Sequence, residues 1–131
     1  AVLDHVAGWF ATHVVLPLQR DGDPRARLEH MTSELARFYE KGRRACLIDL
    51  FGVGLEDSSF GPSLRSAVQQ WQAAIARAVR DAGCDETIAD ERAELALVRV
   101  QGALVLARAK NEPRLFMRHL GRLPADLLTP S

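Results

Sequence analysis

Residues Ile88 to Ala109 read IADERAELALVRVQGALVLARA. The first half is a charged, amphipathic helix. From Leu95 to Ala107 the only polar side chains are Arg99 and Gln101. A surface helix needs one apolar stripe, and a helix that is apolar nearly all round must be covered on more than one side. A chain of 131 residues has limited means to cover such a helix twice. The simplest solution is a second copy of the chain, with one face of the segment in the core and another in a dimer interface.

The length suits one domain with its own core, spanning residues 1–131. Hydrophobic residues make up 47% and charged residues 26%, as in a globular domain. Formal net charge is zero, which argues against this chain by itself offering a nucleic-acid surface, since that needs clustered Lys and Arg. No apolar run is long enough to span a bilayer. The opening AVLDHVAGWF lacks the basic region of a signal peptide, so a cytoplasmic location is expected. Cys46 and Cys84 form no CxxC and have no histidine cluster nearby, which reads as two reduced thiols and no zinc site.

The rest of the chain reads as helix, with no sustained period-2 alternation. A first helix spans about Ala1–Leu16, its stripe formed by Val2, Val6, Trp9, Phe10, His13 and Leu16, and Pro17 is expected to stop it. Its apolar periodicity is already running at Val2, as if the chain were cut inside a helix. Asp23 is a good N-cap with Pro24 at N1, and Leu28, Met31, Leu35, Phe38 and Tyr39 follow at helical spacing, with Gly42 as the end signal. A short apolar helix covers Cys46–Phe51. The next helix runs from about Pro62 to Ala82, with Leu64, Val68, Trp71, Ile75 and Val79 as its stripe and Gly83 as its end. Thr87 is the expected N-cap of the 88–109 helix. Asn111 is expected to cap a last helix, 112–123, closed by Pro124. The sum is an all-α bundle of five long helices and one short one.

Reactive constellations are missing. The four histidines are scattered, and there is no HExxH, GxSxG, P-loop or GxGxxG. The sequence therefore predicts no enzymatic activity, no cofactor and no metal. His13 on an apolar stripe reads as a hydrogen-bonded core residue or as a ligand contact. The aromatic residues Trp9, Phe10, Phe51 and Trp71 are core residues or pocket walls. Arg99, inside an apolar helix, needs a partner, because an unpaired buried charge is very costly.

The order of these elements resembles the C-terminal, effector-binding domain of TetR/AcrR-type transcriptional regulators over nearly the whole chain. The resemblance rests on Pro24-Arg25-Ala26-Arg27-Leu28, Tyr39, Ala45-Cys46-Leu47, Phe60, the Leu64–Trp71–Ile75 spacing, Ala82-Gly83, Gln101-Gly102-Ala103-Leu104 through Arg108, and the final Phe116 and Leu120. Ala45, where glycine is commoner, and Asp49 depart from the pattern.

The resemblance implies a homodimer whose last two long helices, 88–109 and 112–123, form a four-helix bundle with the partner's. The expected interface residues are Ala96, Val100, Ala103, Leu104, Ala107, Phe116, Leu120 and Leu123. It also implies an apolar pocket for a small molecule, for which Phe10, His13, Met31, Leu35, Phe51, Trp71, Ile75 and Arg99 are the candidates. A largely apolar pocket suits an apolar or aromatic effector. Residues 1–16 would be the helix connecting to an N-terminal helix-turn-helix domain, whose spacing in the dimer the effector shifts and through which alone DNA is bound. The competing expectation is a helical protein-interaction module with no small-molecule site.

Overall fold

The computed structural model describes residues 8–39 and 61–129, with the side chains of 61–64 excepted. The expected short helix 46–51, Phe51, Gly42, Phe60 and the first seven residues lie outside the described residues.

Five helices make up the described chain: α1 (8–19), α2 (Pro24–Phe38), α3 (Gly61–Asp81), α4 (Glu86–Ala109) and α5 (Pro113–Leu128). No strand occurs among the described residues. α4 lies between α3 and α5, α2 packs against α5 and α3, and α1 lies against α2 and α3. One core joins all five, with Leu18, Leu28, Met31, Leu35, Ile75, Val79, Leu104 and Phe116 fully buried.

Several helix ends form as the residues dictate. Asp23 caps α2, its Oδ2 accepting from the Ala26 amide at 3.2 Å, with Pro24 next to it. α3 ends in a Schellman turn: the Cys84 amide donates to Val79 O and the Gly83 amide to Arg80 O, with Gly83 at φ +105°. α4 ends the same way. The Glu112 amide donates to Ala107 O and the Asn111 amide to Arg108 O, with Asn111 at φ +51°. Asn111 therefore terminates α4 instead of capping α5, a role asparagine can fill because it tolerates the left-handed conformation. α4 starts after Asp85, two residues before the expected N-cap Thr87.

Two prolines do not stop their helices. α1 continues through Pro17 to Gln19, and α5 continues through Pro124 to Leu128. An interior proline disfavours a helix by about 3 kcal/mol. Burial of the apolar side chains beyond it, Leu18 in α1 and Leu127 in α5, recovers about 1.5–3 kcal/mol each. In α1 the clash is also relieved locally. Residues Ala11–Val15 form a π-turn, in which the Leu16 amide donates to Ala11 O, five positions back. The wider turn makes room just before the ring that would otherwise press on the His13 carbonyl.

Candidate functional site

Two regions carry the candidate residues. The first is an aromatic cluster where α1, α2 and α3 meet. Phe10 and Trp71 meet edge-to-face at 5.0 Å, and Phe10 and Phe38 likewise at 6.0 Å. Trp9 stacks on Phe38 at 4.8 Å and on His13 at 4.6 Å. Tyr39 extends the series from Phe38 to Phe116 on α5. The Trp71 indole N–H donates to the Met31 sulfur at 3.5 Å. A thioether is a weak acceptor, so this buried donor is only modestly satisfied.

Five of the eight expected pocket residues share this region: Phe10, Met31, Leu35, Trp71 and Ile75 are all buried. His13 is exposed, lying over the outer face of Trp9, and is not inside the core. His13 precedes the buried Val14 and Val15, and helical spacing from the row they form with Leu18 sets it on the outer side. Arg99 lies elsewhere, at the α4–α5 seam. Trp9, read from the sequence as a core residue or a pocket wall, belongs to the cluster, and so does Phe38, which the sequence placed only on the α2 stripe, following Leu35 and Met31 at helical spacing.

The second region is the α4–α5 pair. The two helices are antiparallel, since residues early in α4 meet residues late in α5. Arg92 donates to Leu127 O at 2.7 Å, and Arg99 bonds both Asp126 (2.6 Å) and His119 Nδ1 (3.1 Å). Arg99 is half-buried, and its partners are within the chain. The Arg99 bond requires a bare Nδ1 on His119. Desolvation first, then the Arg99, Arg118 and Arg122 guanidinium groups, lower the His119 pKa from its ordinary value, and Asp126 opposes them.

The eight residues expected at a partner surface require a correction. Ala96, Val100, Ala103, Leu104, Ala107, Phe116, Leu120 and Leu123 are core residues, none more than 5% exposed, and have no surface to give a partner. The outward face of α4 carries a second apolar row. Leu95 and Val98 are each 62% exposed, Leu106 52% and Val105 44%, with exposed Gly102 between them. α4 is thus apolar on two opposite faces, and only one of them is covered.

Elsewhere, an open cleft of about 280 Å³ lies at the α1–α2 corner, lined by groups including Arg20, Asp21, Arg27 and His30. It shares no residue with the aromatic cluster. Arg27, buried on its rim, donates to Leu18 O and Arg20 O and pairs with Asp81. Among the described residues no group of three or more His, Cys, Asp or Glu side chains could hold a metal ion, and no helix is long and apolar enough to cross a membrane.

A family model described as transcriptional regulator LmrA/YxaF-like, C-terminal domain, matches residues 24–119, from the first turn of α2 into α5. The chain belongs to this family of TetR-type domains. The match takes in Met31, Leu35, Trp71 and Ile75 of the aromatic cluster and the whole two-faced helix of this LmrA/YxaF-like domain. Comparison with curated proteins and with solved structures gives no match.

Proposed function

We propose that this LmrA/YxaF-like domain dimerises through the outward face of α4 and the adjoining face of α5, and binds a small apolar or aromatic effector against the aromatic cluster. The two-faced α4 carries the reading. Four large aliphatic side chains in one helical row are costly to leave in water, and a second helix pair laid over them removes that cost. The outward residues, and not the core row, form the contact. Light scattering on the 14.5 kDa chain is expected to give twice that mass, and the exposed-face variant Leu95→Glu/Val98→Glu the monomer mass. A monomeric parent chain would refute the dimer.

The effector side of the proposal rests on Trp71. Its indole N–H faces a poor acceptor, so a ligand with a carbonyl or hydroxyl oxygen improves on the bond it replaces. Such a ligand would wedge between α1 and the α2–α3 pair. It would bias α1 between two positions, by the difference in its affinity for them. In the regulators this domain belongs with, that bias would reach the DNA-binding domains and release DNA.

A further inference from the structure

Glu34 is the one buried acidic residue among the described residues, 8% exposed. Its Oε1 accepts from Arg37 Nη1 at 3.1 Å, but the Arg37 side chain is 77% exposed, and a partner so open to water offsets little of a buried charge. Its Oε2 is shut off from solvent and accepts no hydrogen bond from any described residue. A carboxylate oxygen buried without a donor is costly.

The surroundings of that oxygen follow from its place on α2. Glu34 lies three residues after Met31 and four before Phe38, one turn from each, where Cβ atoms stand about 5–6 Å apart. Met31 receives the Trp71 indole N–H, and Phe38 stacks on Trp9 and meets Phe10 edge-on. The carboxylate therefore falls between the two α2 residues that hold the aromatic cluster. α1 runs antiparallel to α2, since Arg27 bonds the Leu18 and Arg20 carbonyls while Phe38 meets Trp9 and Phe10. That register sets Glu34 level with the π-turn Ala11–Val15, against which α2 packs.

A carboxylate in a low-dielectric site attracts a cation and repels an anion, and aromatic rings present negative faces that do the same. We infer that the effector site of this domain takes a protonated amine with an aromatic body, its ammonium N–H donating to Glu34 Oε2 and its body lying against the aromatic cluster. The inference rests on the effector reading above and adds the charge of the ligand and the residue that selects it. A quaternary ammonium would match the charge but donate no hydrogen bond, and a carboxylate ligand would be repelled.

Naphthylmethylamine and naphthylmethanol test this, because they share one ring system and differ in ammonium against hydroxyl. Each is titrated into the full chain at neutral pH and read by calorimetry. The amine is expected to bind about tenfold or more tightly than the alcohol. Glu34→Gln, which keeps the shape and an acceptor oxygen, is expected to weaken amine binding about tenfold and to leave the alcohol within about twofold. Arg37→Ala, at an exposed side chain, is expected to strengthen amine binding and not that of the alcohol, because it removes the competing cation on Oε1. Circular dichroism checks that each variant keeps its helices. Equal affinity of the parent for the two compounds, or an equal loss of both in Glu34→Gln, overturns the amine inference and leaves the effector site standing. Binding of neither compound at millimolar concentration overturns both.

Discussion

The buried Arg27 guanidinium donates to the Leu18 carbonyl at 3.0 Å, nine positions back along the chain. The same group donates to Arg20 O and pairs with Asp81 on α3, so one side chain ties together the end of α1, the start of α2 and the end of α3. The carbonyls at the end of α1 are unsatisfied within the helix and carry partial negative charge, which suits a guanidinium. Arg27→Ala is expected to lower stability by about 2–4 kcal/mol in urea unfolding. Arg27→Lys would recover little of this, because an ammonium lacks the fork that reaches three oxygens. A loss under about 0.5 kcal/mol, the usual limit for a neutral surface change, would show that the latch contributes nothing.

His119 makes the chain sensitive to acid. Its pKa is lowered in the fold, so the unfolded chain binds the proton more readily. Stability is therefore expected to be full above the ordinary histidine range, to fall as the pH drops through about 6.5, and to level off below the folded pKa. Protonation would also remove the acceptor of the Arg99 bond. His119→Gln, whose amide oxygen accepts that bond and does not titrate, is expected to flatten the pH dependence of the urea midpoint between pH 7.5 and 5.5. An unchanged slope would remove His119 as its source.

Trp71 separates packing from recognition. Trp71→Ala is expected to cost about 3–5 kcal/mol of stability through the cavity it leaves, and to weaken effector binding as well. Trp71→Phe keeps an aromatic ring at Phe10 and removes only the N–H. It is expected to stay within about 1.5 kcal/mol of the parent while binding an oxygen-bearing aromatic compound several-fold more weakly by calorimetry. Equal affinity in Trp71→Phe would exclude the indole as a donor to the ligand.

At Gly102 the two effects of one substitution should oppose each other. Gly102→Ala is expected to stabilise the helix of a single chain by about 0.5–1 kcal/mol and to weaken the dimer. Dilution series of thermal unfolding and of sedimentation distinguish the two. A substitution that leaves association untouched would place Gly102 outside the contact.

Sequence periodicity identified α4 as a helix with two apolar rows, but not which row faces inward. The row at Ala96, Val100, Ala103 and Ala107 and the row at Leu95, Val98, Val105 and Leu106 are both regular, and only the positions of α3 and α5 decide between them. Caps at Asp23 and Gly83 were legible because their chemistry is local. Asn111 is ambiguous in the sequence because asparagine serves either end of a helix, and its place in the turn is set by its own amide's bond to Arg108 O and the Glu112 amide's bond to Ala107 O. Arg27 stood in a recognisable motif, yet its partner Asp81 lies 54 positions away, beyond any local pattern.

The π-turn in α1 fixes a rotational phase. One residue more than a regular turn is accommodated between Ala11 and Leu16. Gly8, Trp9 and Phe10, before it, are consequently set about 100° around the axis from where an uninterrupted α-helix would carry them. If the turn relaxed to regular geometry, the segment before it would swivel by that angle while Leu18, beyond Pro17, stayed seated in the core. A helix built this way can convert a change in local hydrogen bonding into torsion of everything on its N-terminal side.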